Sequence, residues 1–416
     1  MASAASSHIL KVFPYNTMKA LHMPKMSDST MQGLDLIKTH TPWILMLLAV
    51  SWCIFKPFQA WYFKPGSRQP TSSPKKQQTQ DNEEAYHTIH PLPNFHLEAE
   101  QPLKLRPFKP IYHMTMALES TTLSDLIAMD NTFSSRCSIR TDLIQSNRHD
   151  VLACTARGAP AVLELYHWLT STYLPRRFPS LYTQQENGLH NTITGETMPS
   201  PLPPSSDAES ALQYLGENID TDFFLLLPSL NAHDEGKCRL EAFINTFPSG
   251  FNTRSKLGRL LADIHAPVPH YAAKLEKSMD RFFASLPVGK MVKRANWSIS
   301  TNGELFCLAG NHLTEAHLNP PNNTHEQDAE EIDLKKTVLR CERQTLHRLP
   351  QTRALVFAFK TYQYPIQEVK DEGSGEILAQ AIDGLARGSV PDIRIYKRQV
   401  VWGEKVKAFL RGEINA

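Results

Sequence analysis

The chain has 416 residues, a hydrophobic fraction of 41% and a formal net charge of +2. This length and apolar content suffice to bury the core of one large domain or two ordinary ones. The basic residues are scattered, which argues against a nucleic-acid partner. The 6 cysteines contain no C-x-x-C pair, which argues against a zinc ribbon or an iron–sulfur cluster in this chain.

An apolar segment at residues 41–63 follows an N-terminal tail at residues 1–40. Its core is uninterrupted from residue 43 to 55, Lys56 is long enough to snorkel, and the aromatic residues that follow suit a membrane interface. Basic residues are more numerous on its carboxyl side. We therefore predict a single-pass transmembrane anchor, with the C-terminal domain facing the cytosol; a buried or interfacial helix is the alternative.

Residues 64–90 are rich in proline, serine, glutamine and charged residues. Such a composition buries too little apolar surface to offset the entropy lost on ordering, so it predicts a flexible linker. The patterned region that follows, residues 91–411, is the predicted domain. Two polar stretches within it, 183–206 and 310–333, are predicted to be surface insertions.

Helical and strand patterns are both frequent in the predicted domain. Helices are expected at residues 123–147, 159–173 and 207–216 and on both sides of His265, and strands at 223–227, 239–247, 291–300 and 354–362. In the last strand Leu355, Phe357 and Phe359 share one face and the residues between them share the other, so we expect burial on both faces. The non-alternating order of helices and strands favours an α+β fold with an antiparallel sheet.

A histidine stands between two amphipathic patterns in the middle of the domain. The first pattern has leucines and an isoleucine at helical spacing over residues 257–264, and Pro267 disfavours helical geometry before it, so the helix should end near His265. The second carries Tyr271, Leu275, Met279, Phe282 and Phe283. Two apolar faces and one histidine suit the enclosure of a planar cofactor, although most histidines at helix ends are caps or core residues.

Three further blocks accompany this segment: Arg-Arg-Phe-Pro at residues 176–179, Asn296-Trp297-Ser298, and the charged run at residues 340–350. In order and spacing, the four blocks resemble the alpha-subunit-like family of haem-dependent oxidative N-demethylases. The resemblance implies a PAS-like antiparallel sheet core with surrounding helices that binds haem b, with His265 as the iron ligand. It also implies monooxygenation of a small amine substrate by dioxygen, with release of formaldehyde.

The source of electrons follows from what the sequence lacks. No G-x-G-x-x-G fingerprint or Walker A loop is present, so the chain has no obvious nicotinamide site of its own. The resemblance implies a separate reductase partner that carries flavin and iron–sulfur centres and is fed by NADPH. The alternative function is a non-catalytic PAS-like sensor of haem or a small ligand, or a scaffold.

The resemblance also suggests roles for individual side chains. Expected cofactor contacts are Arg254, Lys256, Asn296, Trp297, Arg343 and Gln344. Glu342 is expected to pair with an arginine or with the amine, and Tyr362 to donate from its phenol near the open face of the haem. Alternatives stay open for these residues: a solvated helix face for residues 340–348, surface exposure for Arg254 and Lys256, and core filling for Trp297.

Overall fold

An antiparallel sheet is the framework of the fold in the computed structural model, which describes Glu84 and residues 86–313 and 331–416. Its strands are β1 Glu119–Thr121, β2 Leu152–Cys154, β6 Asp222–Pro228, β7 Cys238–Ile244, β8 Met291–Ser300, β9 Val338–Arg348 and β10 Leu355–Pro365. Within the described residues they form a seven-stranded sheet in the order β1-β8-β9-β10-β6-β7-β2. Every neighbouring pair is antiparallel.

Helices cover both faces of this sheet. They are α1 Phe133–Val151, α2 Ala159–Trp168, α3 Leu174–Arg177, α4 Ala208–Asn218, α5 Leu261–His265, α6 Lys277–Ser285, α7 Ile366–Asp371, α8 Gly375–Gly384, α9 Ile393–Tyr396 and α10 Gln399–Arg411. A π-helical turn, Leu169–Tyr173, joins α2 to α3, and another, Ala272–Glu276, leads into α6. The predicted α+β fold with a large antiparallel sheet and helices is confirmed.

The alternation of side chains along each strand gives the sheet two distinct faces. On the helix face, Phe223, Leu225, Val356 and Ala358 pack in one cluster with side chains of α1, α2 and α4. On the opposite face, here called the cavity face, Phe224, Leu226, Leu346 and Phe357 pack with side chains of α5 and α6. The predicted burial of β10 on both faces is therefore confirmed.

A smaller sheet is formed by β3 Tyr182–Gln185, β4 Gly188–Asn191 and β5 Thr197–Pro199. It occupies much of the stretch 183–206, which the sequence predicted to be a surface insertion. That prediction misses part of the core, because Leu189 and Met198 are fully buried. Their apolar side chains pack in the main cluster. The other predicted insertion, 310–333, is described only at its two ends.

No helix in the described part of the chain is long and apolar enough to cross a membrane. The predicted anchor at 41–63, the tail before it and residues 64–83 of the predicted linker lie outside that part. The end of the linker is described, and there the expected flexibility is wrong. Tyr86 is 1% exposed, and its ring centroid lies 4.7 Å from that of Trp168.

Hydrogen bonds fix this segment to the end of α3. Arg177 donates from its guanidinium to the carbonyl of His90 at 2.6 Å, and the Leu92 N–H donates to the Arg177 carbonyl at 2.8 Å. Residues 86–90 therefore belong to the folded domain, with Tyr86 and Ile89 in its core.

Tyr86→Ala should lower the free energy of unfolding by about 3 kcal/mol, because removal of a buried aromatic ring leaves a cavity. Tyr86→Phe is the matched control. The Tyr86 hydroxyl is buried without a hydrogen-bond partner, so its removal should change stability by no more than about 1 kcal/mol. Urea unfolding of the two variants checks this, and equal stabilities would contradict the docking of Tyr86.

Candidate functional site

A cavity of about 330 Å³ lies between the cavity face of the sheet and the elements that cover it. Its floor is apolar at one end, where Val292, Leu346 and Phe357 are neighbours across three strands. Further along the same strands the floor becomes polar, with Arg294 paired to Gln344 and Asn296 paired to Glu342. The cavity is thus amphipathic, as a site for a largely apolar molecule with charged groups requires.

Three of the predicted site residues meet at the polar end. Asn296, Glu342 and Gln344 all line the cavity, because alternate residues of β8 and β9 point to the same face. The Gln344 amide donates to the Glu342 carboxylate at 2.7 Å, which fixes the orientation of that carboxylate.

Three other predicted site residues lie on the helix face. Trp297 and Tyr362 both pair with Cys341 in the sheet, and all three are buried among the C-terminal helices. Arg343 pairs with Asp125 at 2.8 Å and does not line the cavity. The sequence blocks led us to expect these side chains at the site. Adjacent residues of a strand point to opposite faces of the sheet, however, so only every second residue of a block can line the cavity.

Residues 340–348 belong to β9, so the alternative of a solvated helix face is wrong. Arg254 and Lys256 both belong to a single 3-10 turn, Arg254–Lys256, that precedes the histidine. Of these two side chains, that of Lys256 lines the cavity and that of Arg254 does not.

The helix before the histidine ends at His265, as predicted, but it is much shorter than the apolar stripe suggested. Gly258 has a φ of +75°, a backbone conformation that few residues other than glycine adopt, and it ends the preceding turn. The Gly258 N–H then donates to the Leu240 carbonyl at 2.7 Å, and the Leu240 N–H donates to the Arg259 carbonyl at 3.1 Å. This stretch therefore pairs with β7 instead of forming a helix.

The two ring nitrogens of His265 have different surroundings. Its Nδ1 lies 2.8 Å from the Leu261 carbonyl, and since a carbonyl only accepts, Nδ1 carries the proton. Nε2 has no hydrogen-bond partner among the described residues, and the ring stacks on Tyr271 with centroids 4.7 Å apart. Burial lowers the pKa of His265 despite the bond to Leu261. The neutral ring thus offers the Nε2 lone pair to the cavity.

The cavity carries more positive than negative charge. Lys256, Arg294 and Lys397 line it, and no carboxylate lies within ion-pair distance of them in the described residues. Burial lowers the pKa of Lys256 and of Lys397 to about 8, and it also lowers that of Arg294. Glu342 is the carboxylate among the residues that line the cavity, so Lys256, Arg294 and Lys397 exceed it by two positive charges.

The environments of these three cations differ. The Lys256 ammonium lies 3.5 Å from the centre of the Phe251 ring, and Lys397 donates to the Trp297 carbonyl. The Nε of Arg294 is buried without a partner. Lys293 also borders the cavity, and its ammonium lies 3.3 Å from Asp125, a carboxylate that it shares with Arg343.

Sequence reasoning missed Arg294, Lys397 and a second histidine, His312, all of which line the cavity. Arg294 had a usable signal, because it lies two residues before Asn296 in a predicted strand. Lys397 and His312 had none, since they reach the cavity from distant segments. No group of three or more histidine, cysteine or acidic residues in the described ranges is placed to hold a metal ion. A lone open imidazole suits haem iron better than a metal held by protein alone.

A family profile described as haem-dependent oxidative N-demethylase, alpha subunit-like, matches residues 117–407. The match spans well over half of the chain and includes His265, Glu342 and Lys397. It confirms the resemblance carried by the four sequence blocks. The chain therefore belongs to the alpha-subunit-like family of haem-dependent oxidative N-demethylases.

Proposed function

We propose that this protein binds haem in the cavity, where His265 would hold the iron, and that it catalyses oxidative N-demethylation of a small amine. The observation that carries the proposal is the open Nε2 of a neutral His265 in an amphipathic cavity. The surplus of two positive charges, from Lys256, Arg294 and Lys397 against Glu342, complements the two propionates of a haem.

We infer that the haem is of type b, because the sequence lacks the C-x-x-C-H motif that attaches haem covalently. The large antiparallel sheet with its covering helices is compatible with a PAS-like core, which the family resemblance implies. In this assignment the apolar side chains of the cavity would hold the macrocycle, and Lys256, Arg294 and Lys397 would hold the propionates.

The reaction inserts one oxygen atom of dioxygen into a C–H bond of an N-methyl group, and two electrons and two protons reduce the other atom to water. Haem supplies this oxygen chemistry when it is bound. The hydroxyl proton of the carbinolamine product is transferred to nitrogen, the C–N bond breaks with its electron pair going to nitrogen, and formaldehyde and the demethylated amine are released.

We assign Glu342 to the amine substrate. Its carboxylate is held by Gln344 at the polar end of the cavity, where an ammonium group would find its negative charge. Asn296, its neighbour across the strands, supplies an amide for positioning. The phenylalanine and leucine side chains at the other end exclude water. Tyr362 takes no part in this assignment, because its side chain lies on the helix face.

The partners remain proposals. We propose that electrons come from NADPH through a separate flavin and iron–sulfur reductase. We also propose that residues 41–63 anchor the protein in a membrane with the domain facing the cytosol; this rests on the sequence pattern and its flanking charges.

Haem affinity should fall at least about tenfold between pH 7 and pH 10, roughly the effect of losing one charge-assisted hydrogen bond. Lys256 and Lys397, each with a pKa of about 8, lose their charge over this range. At high pH these lysines must therefore take up protons before they can pair with the haem carboxylates. Titration of the full chain with ferrous haem, followed by its absorption, measures this.

Lys256→Gln should weaken haem binding at pH 7 and flatten the pH dependence. Lys274→Gln, at an exposed position, is the matched control and should leave both unchanged. An affinity that is constant from pH 7 to pH 10 in the wild type would contradict the assignment of these lysines to the propionates.

A further inference from the structure

His312 is the second histidine of the cavity, and it is held as firmly as the first. Its ring stacks on Tyr396 with centroids 4.5 Å apart and planes 10° apart. The loop that carries it is fixed on both sides, since Asn311 donates to Ser249 at 3.3 Å and the Leu313 N–H donates to the Tyr396 carbonyl at 3.1 Å. These contacts hold the imidazole in a fixed position in the cavity wall.

The two histidines differ in the partner of Nδ1. In His265 this nitrogen donates to a carbonyl, which is the arrangement that orients histidines bound to metals. In His312 it is buried without a hydrogen-bond partner. This difference favours His265 as the iron ligand, because His312 lacks the Nδ1 hydrogen bond that orients a ligand ring.

His312 does not contribute a positive charge to the cavity. Burial is the main cause that lowers its pKa to about 4, with Lys397 and Lys256 acting in the same direction. The carbonyls of Tyr396 and Ser249 lie near the ring and favour its protonated form, but they do not outweigh these effects, and neither is placed to accept a hydrogen bond from Nδ1. At neutral pH, His312 is therefore a neutral hydrogen-bonding group.

The tautomer follows from the same burial. A buried N–H without an acceptor is rarer in proteins than an under-used acceptor, so we place the proton on Nε2 and the lone pair on Nδ1. Since Nδ1 is shielded, Nε2 is the ring nitrogen that can meet a molecule in the cavity.

We propose that His312 does not bind iron and that its Nε2–H donates a hydrogen bond to the small molecule that shares the cavity with the haem. This inference rests on the proposed function, because it presupposes haem bound through His265. It adds a contact residue for the small reactant that neither the sequence blocks nor the charged run at residues 340–350 contains.

Carbon monoxide on the ferrous haem of the full chain is a suitable probe, because a donor near its oxygen lowers the C–O stretching frequency. His312→Leu should shift the infrared band to higher frequency, since the donor is lost with little change in volume. His312→Gln retains a donor and should stay closer to the wild type. Unfolding midpoints of both variants verify that the fold is intact.

Three results would overturn parts of this account, and they are distinguishable. An unchanged C–O band in His312→Leu would rule out the proposed hydrogen bond. A change from a low-spin to a high-spin absorption spectrum in His312→Leu without carbon monoxide shows that His312 is an iron ligand, which also refutes it. A wild-type chain that binds no haem refutes the proposed function, and this inference with it.

Discussion

His265→Ala is expected to weaken haem binding by more than about 100-fold and to remove or shift the Soret band of the haem-loaded protein. Loss of a second-sphere partner alone typically costs 10–100-fold in metal affinity, so loss of the ligand itself should cost at least as much. The rest of the cavity should persist, because α5 is held through Leu261 in the core and not through the imidazole. Absorption spectroscopy during haem titration measures the effect.

Two comparisons make this result specific. His233→Ala removes an exposed histidine on the loop between β6 and β7 and should leave the spectrum unchanged. Free imidazole should restore much of the Soret band in His265→Ala, because it can occupy the space left by the side chain. A variant that binds haem as tightly as the wild type, with the same spectrum, would contradict the assignment of His265.

Lys360→Met should lower the free energy of unfolding by about 4 kcal/mol, within the range found when one partner of a buried ion pair is removed. The Lys360 ammonium lies 2.7 Å from Asp130 and 3.1 Å from Asp220, and all three side chains are 2% exposed. Methionine has a similar shape but leaves two carboxylates without their cation. Urea unfolding at pH 7 measures the loss, and Lys405→Met, at an exposed position, is the control.

The loss should depend on pH in a defined direction. Burial raises the pKa of Asp130, but Lys360 and the hydrogen bonds from Thr132 outweigh burial, so the pKa lies below its usual value. This stabilisation is complete above the unfolded pKa of about 3.9 and is lost as the pH falls through the folded pKa. The gap between Lys360→Met and the wild type should therefore narrow in acid. A gap that is the same at pH 7 and pH 3 would argue against the ion pair as its cause.

Much of the fold could be predicted because its strands and helices carry clear periodic patterns. The alternation in β10 was correct, and the strand expected at residues 291–300 has the bounds of β8. The long helix expected before His265 is absent because of pairing with a distant strand. Gly258 and Arg259 form hydrogen bonds with Leu240, a residue of β7 that no local pattern connects to them.

The site was predicted only in part, because its residues converge through the sheet. His265 was found from the proline that ends its helix, and Glu342 and Gln344 from family resemblance. Trp297, Arg343 and Tyr362 were grouped with them because a sequence block does not specify which face a strand residue occupies. His312 and Lys397 reach the cavity through long-range contacts with Tyr396 and Trp297, which no local spacing reveals.

Formaldehyde release would show whether this chain is a haem-dependent N-demethylase. The haem-loaded full chain would be given a small N-methyl amine, dioxygen and a surrogate flavin and iron–sulfur reductase with NADPH. We expect one formaldehyde for each methyl group removed, with none formed by His265→Ala or without the reductase. A wild-type protein that binds haem through His265 yet releases no formaldehyde from any amine tested would contradict this expectation and favour a haem sensor.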